Sequence, residues 1–238
     1  MKLTFLGTRG EIEARTPRHR RHSSLLVSYY RRRVMLDCGL DWLGRLTEIN
    51  PDAIFITHAH LDHAGGLKLG APCPVFASPV SLKLMRRYPI DKCPIEPDSP
   101  VTIGPLTFQA FDLEHSLRCP AVGYRVSGGG TIHYAPDLVF IYDRAAALSG
   151  VDIYIGDGAS PKRPIIRKRG DRLIGHASIE TQLEWCRQEG VPRAIFTHCG
   201  SQIVAGNEDR IAGNLRHWGR ERGVGVSIAY DGMELTVR

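Results

Sequence analysis

The sequence lacks the paired cysteines that disulfide frameworks and cysteine zinc clusters need. Its six cysteines are scattered through 238 residues, and no two of them form a C-x-x-C pair. That spacing argues against a disulfide scaffold and against a cysteine-based zinc site. We therefore expect a reduced, cytoplasmic protein in which cysteines such as Cys38 and Cys199 act as small buried hydrophobic residues.

Long apolar runs are also missing. No stretch approaches the roughly 20 apolar residues that a membrane helix needs. The first ten residues, MKLTFLGTRG, have neither the apolar core nor the small-residue cleavage site of a signal peptide. Hydrophobic residues make up 42% of the chain and charged residues 24%, which predicts a soluble globular protein without a membrane partner.

Acidic residues are fewer than basic ones, and the formal net charge is +6. The basic excess is concentrated in residues 8–24 and 161–172. Such patches can raise the local concentration of an anionic substrate, although a run of like charges is as often a solvated face. Few aromatic residues interleave with these charges, so a stacking platform for nucleic acid is not evident. The candidate substrate-binding residues are Arg18, Arg20, Arg21, Arg167, Lys168 and Arg169.

Short apolar runs alternate with amphipathic segments along the chain. DAIFIT and VDIYIGDG predict buried strands. SIETQLEWCRQEG predicts a helix with Ser178 as its N-cap and Gly190 just beyond its end, and residues 40–50 also have a helical period. Hairpins are predicted at both ends of the chain, the last one across Asp231-Gly232.

The order of these elements predicts the fold class. Two mixed sheets packed face to face, with helices outside, would bury the apolar face of every element. No low-complexity linker and no change in composition marks a domain boundary. The sequence therefore predicts a single αββα domain over residues 1–238.

The segment THAHLDHAGG, residues 57–66, concentrates side chains that can bind metal. His58, His60, Asp62 and His63 fall within six residues, directly after the predicted strand DAIFIT. Loops held by a rigid sheet are where functional sites are usually built. A compact turn can direct its first pair of side chains one way and its second pair the other, which suits two metal ions better than one.

Three further candidates follow other apolar runs. His115 ends TFQAFDLEH, Asp137 ends TIHYAPD, and His198 ends RAIFTH. Glu114, the neighbour of His115, is a weaker candidate. The repeated order of strand and then ligand favours a metal site that collects residues from the whole chain.

These residues resemble the metallo-β-lactamase fold superfamily of metal-dependent hydrolases. THAHLDH matches the superfamily motif T-H-x-H-x-D-H, and LDCG matches its first motif around Asp37. The resemblance implies that Asp37 is not a ligand but orients the histidine loop. It also implies one ion on His58, His60 and His115, a second ion on Asp62, His63 and His198, and Asp137 as the bridge between them.

Within the superfamily, the chain is similar to the phosphodiesterase branch. GHASIETQLEWCRQEGVPRAIFTHCG resembles a stretch of ribonuclease Z and of the cyclic-phosphate phosphodiesterase of phosphonate degradation. That likeness gives His176 a place at the substrate phosphate rather than on a metal. The chain has no cysteines where the phosphonate enzyme binds a structural zinc, and no insertion as long as the arm with which ribonuclease Z grips transfer RNA. True β-lactamases have no histidine at the position of His63, so the presence of this residue disfavours lactam hydrolysis.

The expected mechanism needs two divalent ions. A hydroxide bridging the ions would be the nucleophile, because metal coordination lowers the pKa of water to about 7. Asp62 and His176 are the candidate catalytic residues, with His176 as the general acid for the leaving alkoxide. Imidazole and carboxylate ligands without thiolate favour Zn²⁺, with Mn²⁺ and Fe²⁺ as alternatives.

The favoured function is hydrolysis of a small or cyclic anionic phosphodiester. Three alternatives remain open: a nuclease on short RNA or DNA, a thioester or lactone hydrolase, and a metal-binding scaffold protein without activity. Nucleic acid is therefore a disfavoured partner but not an excluded one. A homodimer is compatible with the sequence.

Overall fold

Two mixed β-sheets form the centre of the structure. The computed structural model describes residues 1–238, apart from the side chain of Glu208. The first sheet is antiparallel from β17 to β3 and parallel from β3 to β6. Its strands, in spatial order, are β17 (Glu234–Thr236), β1 (Lys2–Gly7), β2 (Ser24–Tyr29), β3 (Arg32–Leu36), β4 (Ala53–Ile56), β5 (Val75–Ala77) and β6 (Lys92–Pro94).

The second sheet is built mostly from the later part of the chain. Its antiparallel half passes into a parallel half between β10 and β16. Its strands, in spatial order, are β11 (Phe140–Ile141), β8 (Leu106–Glu114), β9 (Ala121–Ser127), β10 (Thr131–Tyr134), β12 (Ile153–Asp157), β15 (Arg193–Thr197) and β16 (Gly225–Ile228). β7 (Val101–Ile103) pairs with the first residues of β8, on the side opposite β9.

Aromatic and aliphatic side chains fill the space between the sheets. Phe55 of the first sheet stacks on Phe108 of the second with ring centroids 4.1 Å apart, and Tyr124 packs edge-on against Phe55. The rings belong to one buried cluster with Leu3 and Ile155. Burial of this apolar surface stabilises the face-to-face packing of the two sheets.

Helices and short turns cover the outer faces of both sheets. Trp42 and Leu67 pack outside the first sheet, whereas Leu183 and Leu215 pack outside the second. The helices are α1 (Leu46–Ile49), α2 (Leu61–Ala64), α3 (Pro79–Leu84), α4 (Arg144–Leu148), α5 (Ile179–Gln188), α6 (Ser201–Val204) and α7 (Glu208–Arg222). The predicted αββα sandwich is confirmed.

The predicted C-terminal hairpin is wrong. β16 pairs in parallel with β15 in the second sheet, whereas β17 pairs antiparallel with β1 in the first. The segment between them crosses from one sheet to the other. The Asp231 carboxylate accepts hydrogen bonds from the backbone N–H groups of Arg20 and Arg21 and thereby ties this crossing to the N-terminal loop.

One other segment differs from the sequence-based expectation. Residues 40–50 form a 3₁₀ turn and the one-turn helix α1 instead of one helix, because Gly44 adopts a φ of 72° between them. The basic segment 161–172, for which the sequence predicted no element, leads into an exposed two-stranded hairpin, β13 (Ile165–Arg169) with β14 (Arg172–His176). Within the described residues, no helix is long and apolar enough to cross a membrane.

Candidate metal centre

The predicted ligands meet at one edge of the sandwich because most of them follow the carboxyl ends of strands. His58 comes directly after β4 and Thr57, His115 directly follows β8, and Asp137 follows β10 at a short distance. His198 directly follows β15. The parallel strands in each sheet end on the same side, so side chains far apart in sequence converge there.

The structure arranges these side chains in two groups that share Asp137. One group is His58, His60, His115 and Asp137; the other is Asp62, His63, Asp137 and His198. Within each group the potential ligand atoms lie within 4.8 Å of one another. Every member except His60 is buried. All seven residues that the motif and the later strand ends indicated are therefore brought together.

Hydrogen bonds to outer partners orient the histidines of the first group. His58 Nδ1 lies 3.1 Å from Thr57 Oγ1, and His115 Nδ1 lies 3.1 Å from the Gly175 carbonyl oxygen. If Nδ1 carries the proton in each ring, Nε2 keeps its lone pair for a ligand bond. Both Nε2 atoms face His60 Nδ1, at 2.9 Å from His58 and 3.5 Å from His115.

Asp37 orients His63 of the second group through a hydrogen bond. Its carboxylate accepts hydrogen bonds from His63 Nδ1 at 2.8 Å and from the Thr57 backbone N–H at 2.8 Å. His63 Nε2 is therefore directed towards Asp62 and Asp137, at 3.3 and 3.7 Å from their Oδ2 atoms. Asp37 lies outside both groups, in the orienting position that the sequence resemblance implies.

Two residues of the centre have strained backbones. Asp37 has a φ of 60° and His198 a φ of 52°, in the left-handed region that non-glycine residues rarely adopt. Each residue directly follows a strand of the sheets, so the sharp turn lets its side chain point back into the site. Strain of this kind persists where the surrounding structure fixes the conformation, and it concentrates at functional sites.

The residues fit a pair of divalent cations. Within the described part of the chain, His63 Nε2 is buried without a hydrogen-bond partner, although two carboxylates are close by. Burial of such an unsatisfied nitrogen costs free energy unless another group binds it. Imidazole nitrogens together with carboxylate oxygens are the donor set of zinc, manganese and iron sites. The clusters are consistent with a dinuclear site.

Mutual charges shift the pKa values within the clusters. Burial opposes protonation of His63, but the Asp62 and Asp37 carboxylates outweigh it and raise the His63 pKa to about 10. Burial likewise opposes protonation of His198, yet Asp137 and the hydrogen-bonding carboxylates raise its pKa to about 10. Protons therefore occupy the site in the absence of cations, and metal binding should release them.

His176 lies beside the metal-binding groups and has a carboxylate partner of its own. Its Nδ1 is 2.9 Å from Asp157 Oδ2 and 2.9 Å from Asp137 Oδ1. Among the described residues, no hydrogen-bond partner contacts Nε2, and the ring is partly exposed to the cavity. His176 ends β14, a partly exposed strand of the hairpin, whereas His58, His115 and His198 follow buried strands of the two sheets.

Asp157 is a site residue that the sequence reasoning did not single out. It ends β12 and is fully buried beside Asp137, His176 and His198. Gln182 of α5 fixes its backbone by accepting from the Asp157 N–H and donating to the Asp157 carbonyl. The available signal was the one already used for Asp137 and His198: a polar residue at the end of an apolar run.

A cavity of about 710 Å³ opens above the cluster. Its floor includes His60, Asp62, His115, Asp137, His176 and His198. Apolar side chains of Ile12, Leu61 and Ile165 stand at its walls, and Leu61 and Ile165 are largely exposed. The site can therefore hold a small molecule with an anionic group at the cluster and an organic group against the walls.

The six basic residues do not line this cavity. Arg18 lies 4.1 Å above the Tyr230 ring and Arg21 lies 5.1 Å from the Trp42 ring. Arg167, Lys168 and Arg169 are exposed on β13, whose first residue, Ile165, reaches the cavity wall. Their role in substrate binding stays a prediction.

Glu114 is not part of the metal-binding groups. Its carboxylate accepts hydrogen bonds from the Arg172 guanidinium and from the Leu173 backbone N–H. It thus anchors the β13–β14 hairpin, which ends in His176, to the second sheet. The structure does not support the weaker ligand assignment considered for Glu114, because its carboxylate belongs to neither group and is bonded to these partners.

Comparison with known proteins gives the family. The family model of the beta-lactamase superfamily domain matches residues 32–199, a range that contains every residue of the two groups. The chain belongs to this family. The resemblance inferred from the histidine motif is thus confirmed. With its buried His/Asp clusters, the protein is a metal-dependent hydrolase of the metallo-β-lactamase fold.

Two relatives match most of the chain. Ribonuclease Z of Methanopyrus kandleri is 28% identical to this chain, in an alignment that covers 99% of this chain and 98% of that protein. An octanoyltransferase of Porphyromonas gingivalis is 25% identical and matches 78% of this chain but 40% of its own length.

Two solved structures share the fold. The metallo-beta-lactamase fold protein YhfI of Bacillus subtilis superimposes with a TM-score of 0.74 at 19% identity, covering 99% of both chains. A diphosphatase of the PhnP family has a TM-score of 0.74 at 22% identity, covering 98% of this chain and 96% of its own. At such identities these structures show the fold alone.

The two groups lead to a prediction about metal content. We expect two divalent ions per chain after metal loading, because each group offers a full set of ligands around the common Asp137. Elemental analysis of the loaded and desalted protein measures the ratio, with chelator-treated protein as the control. A ratio of one ion per chain, or a crystallographic metal site without His115 or His198, would contradict the prediction.

Proposed function

We propose that this protein is a dinuclear phosphodiesterase that hydrolyses small or cyclic phosphodiesters. The observation that carries the proposal is His176, which reaches the cavity beside the metal-binding groups and is held by Asp157 at 2.9 Å. A phosphodiester with an alkoxide leaving group needs both a site for its anionic phosphate and a positioned proton donor. The centre offers both within one cavity.

The chain's own residues supply the proton-transfer part of the reaction. Burial opposes protonation of His176, but Asp157 and Asp137 overcome it and raise its pKa to about 11. Asp157 accepts a hydrogen bond from Nδ1–H of the ring, so Nε2 is left facing the cavity and can carry the second proton. From that position Nε2 can donate its proton to the leaving oxygen.

Two bound ions would activate water and neutralise charge on the phosphate oxygens. The residues that would hold the ions are His58, His60, Asp62, His63, His115, Asp137 and His198. We propose Zn²⁺ as the metal because imidazole nitrogens dominate the donor set, and Mn²⁺ or Fe²⁺ as alternatives.

A substrate panel tests the proposal. Protein loaded with zinc, manganese or iron is assayed on phosphodiesters, phosphomonoesters, thioesters and lactones at equal concentrations. We expect the highest kcat/KM on diesters. A preference for thioesters or lactones would overturn the phosphodiesterase assignment, and inactivity of the metal-loaded protein on the whole panel would favour a binding protein.

A nuclease on short RNA is the second candidate. It is supported by the exposed basic strand β13 beside the cavity and by the full-length match to a protein named ribonuclease Z. Phosphate contacts dominate nucleic-acid binding and make it strongly salt-dependent. A steep fall of oligonucleotide affinity with salt would favour this function over hydrolysis of small diesters.

The basic hairpin gives a prediction that applies to both functions. Replacing Arg167, Lys168 and Arg169 with alanine should raise KM for an anionic substrate and weaken the dependence of KM on salt concentration. The value of kcat should change little, because these residues attract the substrate to the site and do not contact the reacting atoms. Steady-state kinetics at several salt concentrations measure both effects.

A matched variant controls for net charge. Lys83, Arg86 and Arg87 are exposed, and none of them lines the metal cavity. Replacing these three residues removes the same charge at a distance from the site. Equal effects of the two triple variants would mean that the hairpin charges form an ordinary solvated face. The same comparison can be made for Arg18, Arg20 and Arg21.

A further inference from the structure

A second cavity of about 650 Å³ adjoins the metal cavity. We call it the adjoining groove; its lining residues are Pro161, Lys162, Gln202, Arg210, Ile211, Asn214, Leu215 and Trp218. Gln202 lines both cavities. Ala159 of the metal cavity is also only two residues from Pro161 of the groove. A molecule bound at the metal cluster can therefore continue into the groove past Gln202.

The adjoining groove is positively charged. Lys162 follows β12 and Arg210 lies in the first turn of α7, so two separate elements place cations on one concave surface. Both side chains are exposed, and neither forms an ion pair with another described residue. No described carboxylate lines the groove, although Asp209 lies on a neighbouring surface. Unpaired cations in a cleft attract an anion.

The adjoining groove also has an apolar, aromatic wall. Ile211 and Leu215 are buried beneath it, and Trp218 is partly buried against the same core cluster. Asn214 adds a side-chain amide that can both donate and accept hydrogen bonds. An indole beside two cations suits a ligand that combines a flat aromatic ring with negative charge.

We propose that the adjoining groove binds a nucleotide unit of the substrate, an aromatic base with its sugar and a second, non-scissile phosphate, while the scissile phosphate lies at the metal cluster. This inference rests on the proposed phosphodiesterase function and narrows its substrate class to nucleotide diesters. A volume of about 650 Å³ is within the range of about 300–1,000 Å³ that small-molecule sites occupy. An aliphatic diester would leave Trp218, Lys162 and Arg210 without partners.

Direct binding tests the groove independently of catalysis. Adenosine monophosphate is titrated into metal-loaded protein while tryptophan fluorescence is recorded, with inorganic phosphate as the probe that lacks a base. We expect quenching by the nucleotide that phosphate does not reproduce. The variant Trp218→Leu should lose the quenching and bind about 10-fold more weakly, the order of effect that loss of one base-stacking contact produces. Trp218→Phe should retain most of the affinity and shows whether the core tolerates a change there.

The charges are tested with a double variant of exposed residues. Lys162→Ala with Arg210→Ala should weaken adenosine monophosphate binding by about 10-fold. The matched control, Lys83→Ala with Arg220→Ala, removes the same charge from exposed positions outside the groove. If the two double variants bind the nucleotide equally well, the groove is not its site.

Kinetics separate this inference from the proposed function. The Lys162→Ala/Arg210→Ala variant should raise KM for a dinucleotide that carries a terminal phosphate as well, such as pApA, and leave KM for an aliphatic diester unchanged. If wild-type protein hydrolyses diesters but the variant affects both substrates alike, the groove assignment is overturned while the phosphodiesterase function stands. If no diester is hydrolysed but the nucleotide still quenches Trp218, the proposed function fails and the groove remains a nucleotide site.

Discussion

Replacing Asp62 with alanine is expected to remove one bound ion per chain and to abolish hydrolysis without unfolding the protein. Asp62 Oδ2 lies 3.2 Å from His198 Nε2 and 3.3 Å from His63 Nε2, so its loss opens one side of the second group. Loss of a residue that only orients a metal ligand lowers metal affinity by about 10–100-fold. Loss of Asp62, which is itself a predicted ligand, should lower the affinity further. Elemental analysis and diester hydrolysis measure the two effects.

Two controls accompany the Asp62 variant. Asp112→Ala removes an exposed carboxylate on β8 and should retain both ions and full activity. Thermal unfolding of the chelated proteins shows whether Asp62→Ala retains the fold, because the sandwich core does not depend on this side chain. Full activity with one bound ion would refute the two-metal mechanism.

Replacing His176 with alanine is expected to keep both ions and to lower kcat by about 10²–10⁴-fold, the usual contribution of a general acid. His176 belongs to neither of the two groups that hold the predicted ligands, since its Nδ1 is bound by Asp157. Metal content by elemental analysis and single-substrate kinetics test the two parts of this expectation.

The dependence on the leaving group identifies the role of His176. A nitrophenyl diester leaves as a stable anion and needs little protonation, so it should lose the least activity in the variant. An alkyl diester should lose the most. His217→Ala is the matched control, because His217 is an exposed histidine on α7 that contacts Glu221. Equal losses on both substrates would point to phosphate binding or substrate positioning instead of proton donation.

Loss of an ion in the His176 variant would have a different meaning. Asp137, Asp157, His176 and His198 also lie close enough together to hold a cation. An altered metal content would therefore make His176 a ligand and remove the proton donor from the proposed mechanism. Asp157→Asn would then be expected to lower the metal content as well.

The sequence by itself determined the fold class and the ligand types. Apolar runs of strand length mark the buried strands, since both faces of a central strand are covered. The histidine motif after β4 is specific because a short turn limits which side chains can share one ion. Polar residues that end other apolar runs, His115, Asp137 and His198, were found by the same rule, because strands of a mixed sheet present their ends along common edges.

Tertiary structure decided what local pattern cannot encode. The pattern of apolar and polar residues predicts that Gly225–Ile228 and Glu234–Thr236 are strands. It does not predict which sheet edge forms hydrogen bonds with each of them. Glu114 has the same local context as a ligand, yet Arg172 and Leu173, far away in sequence, hold its carboxylate. Asp157 is a partner of His176 only because β12 lies between β10 and β15. The adjoining groove is likewise a product of tertiary structure, because it lies between the segment that contains Lys162 and helix α7. Long-range packing, and not sequence spacing, sets the distance between these two elements.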